Sequence, residues 1–235
     1  MKILILTGAG ISAESGIPTF RDADGLWEGH RFEDVATPEA FAEFPQRVHE
    51  FYNQRRRAVQ APDIQPNAAH RALAEFEQRH ADEFLLVTQN IDPLHQRAGS
   101  KKLLPMHGEL LKARCLDTGK VIDWHDDLSV TTPHPDDAAV PQHPARLGRL
   151  RPHLVWFGEM PIGLEQISAA AQQADLFVAI GTSAVVYPAA GIVEAVPAGC
   201  RCVEINLETT PQSRRFDEAI QGPASTAVPE FFSGL

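Results

Sequence analysis

The 235-residue chain is poor in cysteine, in basic charge and in long apolar runs, and each shortage excludes a class of protein. Three cysteines are too few for a disulfide framework, so we expect a reduced, cytoplasmic protein. Lysine and arginine total 21 against 31 aspartates and glutamates, a net charge of −10 that disfavours a general nucleic-acid-binding surface. No apolar run approaches the ~20 residues of a membrane span, and we expect no signal peptide.

What is present is an ordinary globular composition, with 43% hydrophobic and 22% charged residues. Several near-continuous apolar runs lack polar alternation, which is typical of strands buried on both faces of a parallel sheet. The clear predicted strands are residues 2–7, 84–88, 176–180 and 202–206, and the weaker ones are 102–106 and 153–157.

Helical spacing separates these strands. It predicts helices over residues 66–80, 163–174 and 189–195, and a helix over 38–60 that is broken into two pieces near Pro45. Alternating strands and helices indicate an α/β protein with a doubly wound sheet and a ligand beyond the strand C-termini. Residues 117–149 lack strong periodicity and indicate an irregular insertion or small lobe.

A glycine turn follows the first strand directly. Residues 8–13 read Gly-Ala-Gly-Ile-Ser-Ala, the form G-x-G-x-x-A. Glycines at this spacing let backbone N–H groups approach a pyrophosphate where a Cβ would collide, which favours dinucleotide binding. A tight strand-to-helix turn without a ligand is the alternative.

A series of further motifs, taken in order, resembles the sirtuins over residues 2 to about 232. After the glycine turn, the segments are GIPTFR at 16–21, DGLW at 24–27, TQNID at 88–92 with LH at 94–95, MHG at 106–108, RPHLVWFGE at 151–159, GTS at 181–183 and NLE at 206–208. Sirtuins are NAD-dependent protein lysine deacylases.

The resemblance implies a fold and a reaction. We expect one catalytic domain over residues 1–235, in which a Rossmann-like large lobe spans about 1–30, 62–112 and 150–235. A helical insertion is expected at about 31–61 and a small lobe at about 113–149. NAD would be consumed: the acyl oxygen attacks the nicotinamide ribose, and lysine, nicotinamide and O-acyl-ADP-ribose are formed.

Three residues match the catalytic positions of the family. His107 would be the general base, because a neutral imidazole accepts a proton near neutral pH. Asn90 and Asp92 follow a predicted strand, and their side chains suit the nicotinamide and ribose pocket. A histidine that only caps a strand end, and an Asx turn that closes a loop, are the alternatives.

The resemblance also implies a set of cofactor contacts. Small residues after a strand suit a contact with phosphate or ribose, and an ordinary strand-ending turn is the alternative. For Arg21 the alternative is a surface arginine. The predicted cofactor-binding residues are Gly8, Ala9, Gly10, Ser12, Ala13, Thr19, Phe20, Arg21, Trp27, Gln89, Asn90, Ile91, Asp92, Gly181, Thr182, Ser183, Asn206, Leu207, Glu208 and Ala224.

Two segments resemble those that receive the acyl-lysine. One is the run Val155, Trp156, Phe157, Gly158 and Glu159, whose extended backbone could also be a plain buried strand. The other is the pair Tyr52 and Arg55, three residues apart on one helix face.

A phenol and a guanidinium on one face suit a carboxylate. In sirtuins this pair marks the branch that removes succinyl, malonyl or glutaryl groups. Its bacterial members often also deacetylate, so we expect dual specificity. A basic run such as residues 55–57 is otherwise usually a solvated face.

The chain departs from the family at the structural zinc site. Cys115 matches the first ligand position, but Thr118 stands where the second cysteine belongs, and the next cysteine is Cys200. A four-cysteine site is therefore impossible in the small lobe, and we expect no zinc. Cys115 with His125, His134 and His143 is the alternative ligand set, and its spacing fits no standard pattern.

Other activities remain open at this point. They are an NAD glycohydrolase or ADP-ribosyltransferase on the same scaffold, a non-catalytic NAD sensor and a dehydrogenase. Expected partners are acylated lysines of proteins or peptides, with no nucleic acid or membrane, and the oligomeric state is not predicted.

Overall fold

The computed structural model describes residues 1–19, 26–27, 29–135, 147–183 and 191–235. The strands are β1 (Ile3–Thr7), β2 (Leu26–Trp27), β3 (His30–Arg31), β4 (Phe84–Thr88), β5 (Leu103–Pro105), β6 (Gly108–Cys115), β7 (Val121–Asp123), β8 (Leu150–Leu154), β9 (Leu176–Ile180), β10 (Arg201–Asn206) and β11 (Glu218–Gln221). The helices are α1 (Gly10–Ala13), α2 (Phe32–Val35), α3 (Pro38–Glu43), α4 (Pro45–Ala58), α5 (Ala68–His80), α6 (Leu94–Ala98), α7 (Leu164–Ala171), α8 (Ile192–Ala195) and α9 (Ala224–Ser233).

Six parallel strands form the larger sheet, in the order β5-β4-β1-β9-β10-β11. Counted along the chain this is 3-2-1-4-5-6, the order of a dinucleotide-binding doubly wound fold. The predicted Rossmann-like α/β class is confirmed. The strand order reverses between β1 and β9, so a crevice opens beyond the C-terminal ends of these two strands.

Strand β1 is apolar on both faces because helices cover both faces of the sheet. Ile3 and Ile5 pack in one core cluster with side chains of α5 and α9. Leu4 and Leu6 pack in a second cluster with side chains of α7 and α8. Each buried aliphatic side chain contributes roughly 1.5–3 kcal/mol, so the alternating residues of one strand hold both helix layers in place.

A smaller antiparallel sheet has the order β7-β6-β8 and packs against the helical segment α2–α4. Tyr52 of α4 shares a core cluster with Leu110 of β6 and Leu154 of β8. Asn53 adds two hydrogen bonds to Leu128, one from its Nδ2 to the carbonyl at 2.8 Å and one to its Oδ1 from the N–H at 2.9 Å. The lobe boundaries given above stay a prediction.

The predicted break near Pro45 is confirmed. Helix α3 ends at Glu43, and α4 begins at Pro45, whose missing N–H costs nothing in a first helical turn. The basic run of α4 is not a uniform solvated face. Arg55 is 8% exposed, Arg56 is 0% exposed, and only Arg57 is half exposed, at 51% for its side chain.

Several element predictions need correction. The weak strand expected at 153–157 is β8, which ends at Leu154; the loop after it uses its N–H groups elsewhere, since Phe157 donates to the carbonyl of Ala36 at 3.0 Å. The stretch 117–149, expected as an irregular insertion or small lobe, contains β7, which pairs with β6. Strands β6 and β11 and helices α6 and α9 were not predicted, and residues 189 and 190 of the expected 189–195 helix lie outside the described residues.

The glycine turns after β1 and β9 lie against each other. A Cβ on Gly10 would lie 2.7 Å from Cα and 2.8 Å from O of Gly181, both backbone atoms. The N–H of Gly10 donates to that same oxygen at 2.8 Å, and the N–H of Gly8 donates to Ile180 at 2.9 Å. The expectation that the turn aims its N–H groups at a phosphate is therefore wrong for Gly8 and Gly10.

We predict that Gly10→Ala lowers the free energy of unfolding by about 1–3 kcal/mol, because the two turns must move apart. Urea denaturation measures this change. Gly199→Ala is the matched control, since Gly199 has open space around it and its variant should stay within about 0.5 kcal/mol. Equal free energies of unfolding for the two variants would contradict the close contact between the turns after β1 and β9.

Candidate active site

A cavity of about 930 Å³ opens beyond the C-terminal ends of β1, β4, β9 and β10. This is the position at which a doubly wound sheet binds its ligand, and the volume suits a ligand larger than a simple metabolite. The cavity continues from the glycine turns past the small sheet to α4. One space therefore joins the two lobes of the predicted domain.

Most predicted site residues line this cavity. They are Gly8, Ala9, Gly10, Ala13, Thr19, Tyr52, Arg55, Gln89, Asn90, Ile91, Asp92, His107, Val155, Trp156, Phe157, Gly158, Glu159, Gly181, Thr182, Ser183, Asn206, Leu207, Glu208 and Ala224. Phe20, Arg21 and the side chain of Trp27 lie outside the described part of the chain.

Ser12 is the exception among the described cofactor predictions. It is fully buried and does not line the cavity. Its hydroxyl donates to Asp92 Oδ2 at 2.9 Å and accepts from Asn90 Nδ2 at 3.1 Å. Ser12 thus holds two cavity residues in place and does not face a ligand itself.

His107 lies between β5 and β6 and has a defined tautomer. Its Nδ1 is 3.0 Å from the carbonyl oxygen of Gln89, and a carbonyl only accepts, so Nδ1 carries the hydrogen. The neutral ring then has its lone pair on Nε2. Burial lowers the pKa of His107 below the ordinary value of 6.5, against the opposing effect of the bond to Gln89. The imidazole is therefore a base at neutral pH.

Asn90 and Asp92 are fixed by short hydrogen bonds at the end of β4. Asn90 Nδ2 donates to the carbonyl of Gly8 at 3.1 Å as well as to Ser12, so its side-chain oxygen is the atom left to meet a ligand. Asp92 Oδ1 accepts from the N–H of Leu94 at 3.0 Å. Burial raises the pKa of Asp92, while its bonds to Leu94 and Ser12 oppose this.

Two buried histidines lie behind these residues. His70 Nε2 is 3.4 Å from the Ser12 hydroxyl, and His95 Nε2 is 3.0 Å from the Thr7 hydroxyl. Burial lowers the pKa of His70 to about 4 and that of His95 well below 6.5. Both rings are neutral at physiological pH, so neither His70 nor His95 places a positive charge near Asp92.

Tyr52 and Arg55 of α4 both line the cavity. Tyr52 is 1% exposed and accepts a hydrogen bond from the indole of Trp156 at 3.1 Å. Arg55 lies with its Cζ 3.3 Å from the centre of the Phe51 ring and donates to the Phe51 carbonyl at 2.7 Å. Burial raises the pKa of Tyr52 far above 10, so the phenol stays neutral.

The loop of residues 155–159 is tied to both ends of the site. The N–H of Val155 donates to the carbonyl of His107 at 2.9 Å, and that of Trp156 donates to Glu159 Oε2 at 2.9 Å. The Phe157 side chain is 40% exposed and packs on Phe32 at 4.5 Å between ring centres. Loop movement would therefore disturb the histidine and the helical segment together.

Cys115 packs in the small lobe among Ala113, Leu128 and Leu150. Among the described residues, no three His, Cys, Asp or Glu side chains converge as a metal site requires. His143, one member of the alternative ligand set, lies outside them. The absence of zinc stays a prediction.

Comparison with known proteins decides the family. A family model described as the Sir2 family matches residues 8–188. The chain belongs to the Sir2 family. The protein from Rhodopirellula baltica named NAD-dependent protein deacylase is 62% identical, over 99% of this chain and 98% of that protein. The Escherichia coli K12 protein of the same name is 57% identical, over 100% of this chain and 82% of that protein.

Solved structures of Sir2 proteins share the fold. A Sir2 homolog–NAD complex has a TM-score of 0.83 and 37% identity, and covers 99% of this chain and 88% of that chain. A Sir2 homologue mutant in complex with ADP ribose has a TM-score of 0.85 and 37% identity, with 99% and 91% covered. The match extends over both lobes, so it includes the elements that surround the cavity.

Sequence reasoning missed several residues of this Sir2 site. Glu14 lines the cavity and accepts from the N–H and hydroxyl of Ser225 at 2.9 and 2.7 Å, which ties α1 to the start of α9. An apolar wall also lines the cavity. Ala36, Val59 and Leu110 of this wall share a core cluster with Tyr52, and Ala58 and Ile64 line the same cavity. The helical periodicity of α4 points to Ala58; no local pattern points to the others.

The lowered pKa of His107 predicts how kcat/KM depends on pH in the acidic range. With the neutral imidazole as the expected base, kcat/KM should fall at acidic pH with a midpoint below 6.5, because burial lowers the pKa of His107. A pH profile of nicotinamide release between pH 5 and 8 measures this. A half-maximal rate at or above pH 6.5 would show that burial does not control the base.

Proposed function

We propose that this Sir2 protein is an NAD-dependent protein lysine deacylase that removes succinyl and malonyl groups as well as acetyl groups. The observation that carries the proposal is the single cavity lined by the glycine turns, His107 and the Tyr52–Arg55 pair. A dinucleotide site, a base and a carboxylate-binding pair in one space suit one reaction between NAD and an acidic acyl-lysine.

The residues present fit NAD. The cavity of about 930 Å³ runs along the strand ends. Gly8 and Gly181 line it and would lie beside the diphosphate, and Glu208 lines it after β10, where a carboxylate suits ribose hydroxyls. When bound, NAD supplies the nicotinamide–ribose bond that breaks and the ribose carbon that takes the acyl oxygen. The side-chain oxygen of Asn90 and the carboxyl of Asp92 would orient the nicotinamide end.

His107 would take a proton from a ribose hydroxyl. Its Nε2 has the lone pair, and the bond from Nδ1 to Gln89 holds the ring and favours the charged form that follows proton uptake. Gln89 is itself held, since its Nε2 donates to Thr182 Oγ1 at 2.9 Å. The base is therefore fixed to two strand ends of the large sheet.

Tyr52 and Arg55 would select the acyl group. A buried guanidinium binds a carboxylate strongly, because little water competes for either charge. The phenol of Tyr52 adds a neutral donor, since its raised pKa prevents formation of a phenolate that would repel the carboxylate. The apolar wall around the pair accommodates the methylene groups, and an acetyl group enters the same space without using Arg55.

The protein substrate would lie along the loop of residues 155–159, with Val155 beside the lysine side chain and Phe157 at the cavity mouth. We also propose a cytoplasmic location, a zinc-less small lobe and the lobe boundaries given in the sequence analysis. No helix in the described ranges is long and apolar enough to cross a membrane.

A parallel assay tests the proposal. The protein is incubated with NAD and acetyl-, malonyl- or succinyl-lysine peptides of one sequence, and peptide mass and nicotinamide are measured. We expect NAD-dependent loss of all three groups. No loss of succinyl and malonyl groups would contradict the acidic-acyl assignment. Nicotinamide release that is equal without peptide would favour the glycohydrolase alternative. Zinc analysis of the same preparation should give well below one equivalent.

A further inference from the structure

Arg151 is a buried cation beneath the substrate loop. It lies on β8, is 5% exposed and does not line the cavity. Its Nη1 and Nη2 donate to the two carboxylate oxygens of Glu159 at 2.7 and 2.9 Å, and Nη2 also donates to the carbonyl of Leu154 at 2.9 Å. A bidentate pair at this depth fixes the plane of the guanidinium.

That plane lies against Trp156. The Cζ atom of Arg151 is 3.4 Å from the centre of the ring, a stacking distance. Glu159 also accepts from the backbone N–H of Trp156 at 2.9 Å. One ion pair therefore holds both the indole face and the main chain of Trp156.

Trp156 passes this orientation to Tyr52. The indole Nε1 donates to the phenol oxygen at 3.1 Å, and the two rings lie nearly parallel, 6.3 Å apart with an angle of 24°. Because the oxygen accepts on this side, the O–H bond of Tyr52 points away from Trp156. The indole thus sets the direction in which the phenol donates.

We propose that Arg151 is a positioning residue for acidic-acyl selectivity. It holds Trp156, and Trp156 aims the hydroxyl of Tyr52 at the carboxylate of the acyl group. The inference rests on the proposed function. It assigns a role in selectivity to a side chain that does not line the cavity. The acetyl group has no carboxylate, so its removal does not depend on the direction of the Tyr52 hydroxyl.

The test is Arg151→Lys, which keeps the charge but loses the stacked plane and the bidentate geometry. We expect the succinyl-to-acetyl ratio of kcat/KM to fall about tenfold, the value of one aimed hydrogen bond, in addition to any loss that both peptides share because the loop of residues 155–159 moves. Arg114→Lys is the matched control, because Arg114 Nη2 also reaches Glu159 Oε1, at 3.5 Å, from a more exposed position. The succinyl-to-acetyl ratio of kcat/KM should not change in Arg114→Lys.

Trp156→Phe and a Tyr52→Phe background keep the test decisive if Arg151→Lys folds poorly. Trp156→Phe removes the indole N–H but keeps an aromatic ring over Arg151, and the succinyl-to-acetyl ratio of kcat/KM should fall about tenfold. In a Tyr52→Phe background, Trp156→Phe and Arg151→Lys should not lower that ratio further, because the hydroxyl they position is gone.

Selectivity unchanged in Trp156→Phe, or equal losses for both peptides in a folded Arg151→Lys, would overturn the inference. Persistence of the effect without the Tyr52 hydroxyl would do the same. Failure of the proposed function looks different, because the unaltered protein would then not remove succinyl groups at all.

Discussion

Replacing His107 by alanine is expected to lower kcat for deacylation by about 10²–10⁴-fold, the usual contribution of a general base. NAD affinity should stay within about threefold, because the proposed diphosphate contacts come from the glycine turns after β1 and β9, whereas His107 is proposed to act on the ribose. Steady-state assays give kcat, and calorimetric titration with NAD gives the affinity.

His125→Ala is the control for this loss. His125 is exposed on the small lobe, where its Nδ1 lies 3.2 Å from Gln60 Oε1. Its variant should keep full activity. Full activity in His107→Ala would remove the base assignment, and a loss of NAD binding equal to the loss of rate would indicate that His107 holds the dinucleotide and does no proton transfer.

Replacing Arg55 by methionine is expected to lower kcat/KM for a succinyl-lysine peptide by about 10²–10³-fold, while kcat/KM for the acetyl-lysine peptide changes by less than about threefold. A buried carboxylate that loses its cation costs roughly 3–5 kcal/mol, whereas an acetyl group has no charge to leave unpaired. Methionine retains much of the apolar stem of arginine and loses the guanidinium, including its contact with the Phe51 ring. Initial rates for both peptides measure the split.

Arg57→Met provides the matched control on the same helix. Arg57 is half exposed and pairs with Glu50 at 3.1 Å and with Asp127, so it is a solvated cation away from the cavity. Its removal should affect neither peptide. Equal losses for both peptides in Arg55→Met would contradict carboxylate recognition by Arg55.

The sequence predicts the central sheet well because its strands are local signals. The runs at 84–88 and 176–180 match β4 and β9, and both are buried on two faces, so no polar alternation obscures them. Strand β11 was missed because its sequence, Glu-Ala-Ile-Gln, is a mostly exposed edge of the sheet. Strand β6 was missed because its pattern mixes charged and apolar residues on a half-exposed small sheet.

For the site, the sequence predicts which residues line the cavity but not how they are held. The motif positions of His107, Asn90 and Asp92 come from the family resemblance. Their supports join residues far apart in the chain, such as Ser12 with Asp92 and Trp156 with Tyr52. No periodicity encodes such pairs, because they depend on how α4, β4 and the loop after β8 pack together.

The most direct test of the account measures stoichiometry. The protein is mixed with NAD and limiting succinyl-lysine peptide, and nicotinamide, free lysine peptide and O-succinyl-ADP-ribose are counted in one sample by mass spectrometry. A shared cavity predicts equal amounts of the three products and no nicotinamide without peptide. Nicotinamide in excess of deacylated peptide, or free succinate without the ADP-ribose ester from the first turnover, would contradict it.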